Sequence, residues 1–299
     1  MKIICVGHAA WDITIPISKF PLENTKNRYN DVVEGFGGPA LSAAYLLGKW
    51  GLEPYYIGTL GNDTHGKSIL ASLNSIGVNT DYTYMINEPT TESMILANTT
   101  NGNRTIIAYK NADICQKESY LLSFNPDIML FDGQEYVLTK KFLETYIDCI
   151  SIMDAGKATP NNIELAKKAT YVVCSKEFAE ELVNQEFNFY DNRTLFDIYN
   201  KVKTEIPGEL IITLGKYGCL YSKDNRIILK QIINANVVDT TGAGDIFHGA
   251  FVYGISQNMN MDSIIHLATV AAGLSTEYLG VQNSILPLDT IRKAFYETR

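Results

Sequence analysis

The run Val237-Val238-Asp239-Thr240-Thr241-Gly242-Ala243-Gly244-Asp245-Ile246-Phe247-His248-Gly249-Ala250-Phe251 constrains this chain more than any other stretch. Two β-branched residues lead in, Gly242 and Gly244 let the backbone approach a ligand, and Phe247, Ala250, Phe251 and Gly254 return at helical spacing. The pattern predicts a strand end, a tight turn and a helix start. A helix start leaves backbone N–H groups without intrahelical acceptors and carries the positive end of the helix dipole. It therefore seats a phosphate, or the charge that develops during phosphoryl transfer. Asp245 in the first helical turn has two readings. Its carboxylate caps the helix by accepting a backbone N–H, or it is a general base that takes a proton from a substrate hydroxyl while the turn amides stabilise the transferring phosphoryl oxygens.

The same residues, read as Asp-Thr-x-Gly-Ala-Gly-Asp-x3-Gly-Ala from Asp239 to Ala250, resemble the C-terminal motif of the ribokinase-like (PfkB) carbohydrate kinases. That resemblance implies that Asp245 is the catalytic base and that the amides of Gly242, Ala243 and Gly244 form the anion hole. It covers the chain from Gly7 to Pro287, with its motifs in family order. It implies an α/β fold of three layers, α/β/α, with a mostly parallel central sheet and a small β-sheet lid from about 12–36 and 82–110. It also implies ATP and Mg²⁺ as co-substrates.

The residues in chain order support this reading. Asp12 follows the first strand, Lys2 to Gly7, at the kind of strand end where open α/β sheets place ligands. It is either a turn-forming Asp or, as the resemblance implies, a ligand of substrate hydroxyls. Ile13 to Ile17 alternates as an exposed strand would, with Pro16 tolerable on an edge. Gly37 and Gly38 resemble the family's first Gly-Gly motif, which lies against the sugar. They open a helix from Pro39 to Lys49. Ser42 stands where the family usually has Asn, so the substrate contact at that position differs. Asn101-Gly102 between Thr91–Asn98 and Arg104–Tyr109 predicts a hairpin, similar to the lid that excludes water from the reaction. Arg104 on it is either a solvated strand charge or a substrate contact. Asp132 ends the apolar strand Pro126 to Phe131 and is similar to an acidic substrate ligand of relatives.

Nucleotide-side residues follow. The helix Leu138 to Ile150, the strand Ser151 to Asp154, the helix opened by Pro160 and the strand Tyr171 to Ser175 continue the alternation. Relatives follow that last strand with Asn-x-x-Glu, which orders Mg²⁺-bound water. Here the stretch reads Ser175-Lys-Glu-Phe178, so Ser175 takes the first position and the magnesium-ordering residue does not transfer; Glu177 is the nearest carboxylate. Thr213, Gly215 and Gly218 resemble the family's Thr-x-Gly-x-x-Gly turn beside the nucleotide, and are equally readable as a strand followed by a turn. Gly218 to Ile233 predicts a hairpin turning at Asp224-Asn225. In the Ala- and Gly-rich helix Met261 to Tyr278, Ala272 and its small neighbours either leave a slot for adenine or allow close helix packing. Asp239 and Thr241 offer hard oxygen ligands for a monovalent cation such as K⁺, as in several relatives.

A rival motif lies at Gly61-Asn-Asp-Thr-His-Gly66-Lys67-Ser68, which fits the Walker A pattern between an expected strand, Pro54 to Leu60, and an expected helix, Ser68 to Ile76. Four fixed positions recur by accident in roughly one chain in a hundred of this length, and the stretch also resembles the ribokinase-like Gly-x-Asp-x-x-Gly turn. A P-loop NTPase, a nucleoside kinase of the ribokinase-like fold and a non-catalytic sugar-binding protein are the alternatives to a sugar kinase.

Composition sets the outer limits. A chain of 299 residues, 46% hydrophobic, can bury a large core. The net charge of -8 argues against nucleic acid or an anionic membrane as partner and fits a small-molecule substrate, which the resemblance implies is a sugar or nucleoside. Cys5, Cys115, Cys149, Cys174 and Cys219 are odd in number and widely spaced, so free thiols in a reducing, cytoplasmic compartment are expected. A small lid sheet with one apolar face predicts a homodimer formed through it.

Overall fold

The apolar runs read as buried strands line up side by side in the computed structural model, which describes residues 1–110, 115 and 118–298. In chain order the first strands are β1 (Ile3–Val6), β2 (Ala10–Ile17), β3 (Val33–Gly37), β4 (Tyr55–Ile57), β5 (Thr59–Gly61), β6 (Tyr84–Ile86) and β7 (Glu92–Asn98). They are followed by β8 (Arg104–Tyr109), β9 (Ile128–Phe131), β10 (Ile150–Ala155), β11 (Tyr171–Ser175), β12 (Glu209–Thr213), β13 (Cys219–Lys223) and β14 (Arg226–Lys230). The helices are α1 (Pro39–Lys49), α2 (Thr64–Ser75), α3 (Tyr136–Thr145), α4 (Pro160–Ala166) and α5 (Lys176–Val183). Then come α6 (Asn192–Glu205), α7 (Ala243–Ser256), α8 (Met261–Ser275), α9 (Val281–Ser284) and α10 (Leu288–Glu297).

The main sheet runs β14-β13-β12-β11-β10-β9-β1-β4. From β12 to β4 all neighbours are parallel, and β13 and β14 close one edge antiparallel. Successive side chains of a strand point to opposite faces, and the core divides accordingly. Ile3 and Cys5 pack with α1, α7, α8 and α10 on one face, while Ile4 and Val6 pack with α3, α4, α5 and α6 on the other. This is the expected three-layer α/β/α arrangement. Each buried Ile, Leu or Phe in these layers contributes roughly 1.5–3 kcal/mol. Glycine sets the closest helix contacts: a Cβ on Gly249 of α7 would press on Ala43 and Leu46 of α1, and one on Gly254 would press on Ile264 of α8.

The lid is a second, mixed sheet in the order β3-β2-β7-β8. Its strand β2 is interior rather than an edge, which corrects the reading of Ile13 to Ile17. Pro16 is tolerated because β3 pairs only with residues 10 to 14 of β2, so the missing N–H falls where that neighbour has ended. Residues 84 to 86 leave the expected lid and pair with β5 instead.

Other boundaries shift for local reasons. Val237 and Val238 are not in a strand; the N–H groups of Val238 and Asp239 both donate to the Thr276 carbonyl at the end of α8. Helix α3 stops at Thr145, and Ile150 opens β10 instead of closing the helix. Helices α5 and α6 were not anticipated. In α6 the signal is present as Leu195, Ile198, Tyr199 and Val202, all buried at helical spacing. The Asp224-Asn225 turn has positive φ at both residues, the geometry a two-residue hairpin needs. Cys5, Cys149, Cys174 and Cys219 are buried free thiols, and Cys115 is half-buried. No described helix is long and apolar enough to cross a membrane.

The Walker-like stretch folds as a capped turn. The carboxylate of Asp63 accepts from the Gly66 N–H at 2.8 Å, the Thr90 N–H at 2.7 Å and the Thr90 hydroxyl at 2.7 Å, and Lys67 and Ser68 are exposed. The carboxylate thus fills the place where a P-loop would hold phosphate. Burial opposes ionisation of Asp63, but these hydrogen bonds outweigh it and hold its carboxyl below the usual range. Asp63→Ala should cost about 1–3 kcal/mol in urea unfolding. Because the folded-state pKa is depressed, this stability is present at neutral pH and is lost as pH falls through that pKa. The wild type should therefore lose its advantage over the variant in acid.

Candidate active site

The carboxyl ends of the parallel strands and the start of α7 meet at one edge of the main sheet. Gly242 takes a left-handed conformation, φ 76°, which most side chains avoid, and a Cβ there would meet both methyls of Val281 at 2.9 Å. That kink turns the chain into α7 with no side-chain cap. Ala243 N–H makes a long 3.4 Å bond to the Thr240 carbonyl, while the amides of Gly242, Gly244 and Asp245 have no acceptor among the described residues. Gly244 is exposed. Uncovered amides at the positive end of a helix form an anion-binding surface.

Asp245 projects from this turn, and its carboxyl accepts no backbone N–H among the described residues, so the capping reading fails. Burial raises its pKa above the usual carboxylate range, helped by Asp154 and Asp12 and opposed by His248 and Arg104. A carboxylate held in that state binds a proton more readily, as a general base must.

Asp12 comes from the lid. It lies within β2, paired with Gly35 of β3 and Ser93 of β7, rather than in a loop after β1. Burial pushes its pKa up to about 7 against a hydrogen bond from Ser93, with Asp239 adding to the rise. Gly37 lacks a side chain where Asp12 needs room, since any Cβ there would run into the Asp12 carboxylate. Gly38, φ 107°, likewise passes against the His8 carbonyl and sets Pro39 at the start of α1. Arg104 reaches from the lid hairpin to the catalytic turn: its Nη1 donates to Thr240 Oγ1 at 3.0 Å, and that hydroxyl donates to the Gly102 carbonyl at 2.8 Å. Asp12 and Arg104 from the lid thus lie close enough to Asp245 for their charges to act on it.

Other expected residues serve the scaffold. Ser42 is 0% exposed on α1, so its hydroxyl touches no cleft. The carboxylate of Asp132 accepts from the His8 N–H at 2.7 Å, the Gln134 N–H at 3.0 Å and the Ala40 N–H at 3.4 Å, capping α1 from the end of β9. Burial pushes its pKa up to about 6, against those hydrogen bonds. Ser175 caps α5 by accepting from the Phe178 N–H and donating to the Gly156 carbonyl. Phe178, at the spacing where relatives carry the magnesium-ordering Glu, is buried, and Glu177 is exposed. Thr213 donates to the Cys174 carbonyl, and Gly215 is exposed beside it with φ 57°. The backbone of Gly218 is pressed against the Lys230 carbonyl of β14, which gives that glycine a structural reason. Ala272 is half-buried, and Ile233 packs on its neighbour Gly273, filling that side of the small-residue stripe.

The cation ligands expected at Asp239 and Thr241 are already engaged. One oxygen of Asp239 accepts from the Thr241 N–H at 2.9 Å and its hydroxyl at 2.6 Å, and the other from the Gly280 N–H at 3.1 Å. Protein donors compensate this carboxylate, so the donor set does not fit a monovalent ion, and the pair instead shapes the turn that leads into α7. Among the described residues no cluster of His, Cys, Asp and Glu could hold a metal. The sequence reading missed His248 and Asp154, which lie directly behind Asp245. His248 stands inside the catalytic motif, but only the fold brings Asp154 to it.

Residues 1–288 match the pfkB family carbohydrate kinase. The chain belongs to that family. As a PfkB-family protein it is a carbohydrate kinase, a phosphotransferase with an alcohol acceptor. It is 26% identical over 298 residues to ribokinase of Bacillus subtilis (strain 168), covering 95% of this chain and 96% of that one. It is 24% identical to a nucleoside kinase of Methanocaldococcus jannaschii, covering 97% and 95%. The fold matches the structure of Arabidopsis thaliana ribokinase complexed with ribose and ATP, with a TM-score of 0.81 at 24% identity over 98% of both chains. Membership of the PfkB family and the capped Asp63 turn together remove the P-loop and non-catalytic readings.

The structural role of Asp132 gives a direct test. Asp132→Ala strands three backbone donors and should cost about 2–4 kcal/mol in denaturant unfolding, while a residue used only for substrate would leave the unfolding midpoint unmoved.

Proposed function

We propose that this kinase transfers the γ-phosphoryl group of MgATP to a hydroxyl of a small carbohydrate, with Asp245 as general base and the turn amides of Gly242 to Gly244 as the anion hole. The observation that carries this reading is the uncapped start of α7, with free amides and a proton-affine carboxylate side by side. Asp245 takes the hydroxyl proton as the oxygen attacks. The amides and the helix dipole stabilise the charge spread over the transferring oxygens. Asp12, with Gly37 and Gly38 beside it, holds acceptor hydroxyls. Arg104, anchored to Thr240, brings the lid over the reacting groups and lowers the proton affinity of Asp245. The exposed turn at Thr213 and Gly215 offers backbone to the nucleotide. Mg²⁺ enters with ATP as part of the substrate.

The lid also supports a homodimer. Strand β8 is an unpaired edge whose side chains are exposed throughout, including Ile107 at 59% and Tyr109 at 62%. A bare edge with large apolar side chains is a pairing surface.

An ADP-release screen of sugars, sugar acids and nucleosides with MgATP tests the reading. One class of sugar should turn over, and Asp245→Asn should lower kcat by at least about 10²-fold with KM for the acceptor little changed. Turnover with nucleosides alone would move the acceptor class and keep the mechanism, whereas unchanged turnover in Asp245→Asn would remove the base. The raised pKa of Asp245 has a clear sign: kcat should fall with a slope of one as pH drops through it, since only the ionised carboxylate accepts a proton. Light scattering should give twice the chain mass, reverting to a monomer in Ile107→Glu.

A further inference from the structure

His248 is 4% exposed, and both its ring nitrogens face oxygen. Nε2 lies 2.9 Å from the Val173 carbonyl oxygen of β11. Nδ1 lies 2.6 Å from the Gly244 carbonyl oxygen and 3.1 Å from Asp154 Oδ2 on β10. A carbonyl oxygen only accepts, so Nε2 carries a proton, and an unprotonated Nδ1 would set its lone pair against those of the Gly244 carbonyl. The geometry is that of an imidazolium donating from both nitrogens, with the half-buried Asp154 carboxylate as counter-charge.

We propose that the buried His248 and the half-buried Asp154 form an ion pair that clamps the first turn of α7 to the sheet and sets the electrostatic field at Asp245, which makes both of them positioning residues for phosphoryl transfer. This rests on the base role given to Asp245 above. The clamp is anchored on either side of the base: His248 follows Asp245 by three positions on the same helix, and its Nδ1 holds the carbonyl of Gly244 just before it. The field has four sources, Asp154 from β10, His248 from α7, Arg104 from β8 and Asp12 from β2. Asp154 itself lies near Asp132 of β9 and Cys174 of β11. Asp154 and His248 act on Asp245 with opposite sign, so each masks the other. Removing one unmasks its partner, a consequence that a purely structural hydrogen bond would not have.

The test needs no substrate. The carboxyl ¹³C titration of Asp245, assigned by difference against Asp245→Asn, is followed in the wild type, Asp154→Asn and His248→Gln. Asp154→Asn should move its midpoint to lower pH and His248→Gln to higher pH, each by at least about half a unit. The ¹⁵N signals of His248 should show a proton on both ring nitrogens in the folded wild type, as its contacts require. Shifts in the same direction, or an unprotonated ring nitrogen, would overturn the proposal, as would an Asp245 titration that neither variant moves. If thermal melts show that His248→Gln does not fold, His248→Asn takes its place with the same expectation. Turnover of Asp245→Asn decides the base role separately: opposite shifts with turnover intact keep the pair and remove the base, and unmoved titrations with turnover abolished do the reverse.

Discussion

An uncapped helix start is the constraint on which the rest of this structure depends. Helices normally meet the demand of their first amides with a side chain, and α2, α4, α5, α6 and α8 each do so here. Helix α7 does not. Its first turn is held open by the left-handed Gly242, by the Asp239 carboxylate that ties Thr241 to Gly280, and by His248 reaching back to the Gly244 carbonyl. Together they fix the backbone of the turn, in which, from Gly242 to Asp245, only the Ala243 N–H has a protein acceptor, the Thr240 carbonyl at 3.4 Å, among the described residues. The turn is stable because the rest of α7 is buried between α1 and α8, so its packing offsets the unmet bonds at one end.

Around that turn β2, the end of β9, β10 and α7 bring four carboxyl groups near one another. Asp12, Asp132, Asp154 and Asp245 are all raised above the usual carboxylate range, with burial the largest cause in each. The fold separates them by function. Asp132 spends its oxygens on three backbone donors, and Asp154 faces an imidazole. Asp12 from the lid and Asp245 from the body lie close enough for their charges to interact. This concentration of charge explains why a cationic lid residue, Arg104, is anchored to Thr240 beside the turn.

Much of the fold could be read from the chain because strand and helix periods differ and glycine punctuates them. Helix α1, strand β11, the Asn101-Gly102 hairpin and the Asp224-Asn225 turn fall where residue chemistry puts them. The misreadings have a common cause. Val237 and Val238 have strand composition, yet no neighbouring strand reaches them, and their backbone turns to Thr276 instead. Residues 84 to 86 look like the lid strand that follows, but β5 is the edge within reach. Helix α6 carries an apolar stripe, Leu195, Ile198, Tyr199 and Val202, but no glycine marks where it begins or ends within Asn192–Glu205.

At the site, the sequence by itself determined the turn, the position of Asp245 and the glycines, because those properties are local: a left-handed residue, a helix start and a carboxylate within one helical turn. The resemblance singled out Gly37 and Gly38 as lying against the sugar, and the structure shows that a Cβ on either would meet protein, the Asp12 carboxylate or the His8 carbonyl. Only the tertiary structure decided which polar residues are free to act. Asp132, Ser175, Asp239 and Gly218 have the right chemistry in the right order, yet their bonding capacity or their space is already taken by backbone from distant segments. Asp154 gains its place behind Asp245 only when β10 and α7 pack together. Whether a polar group is spent or available depends on neighbours far along the chain, and a linear pattern does not encode that.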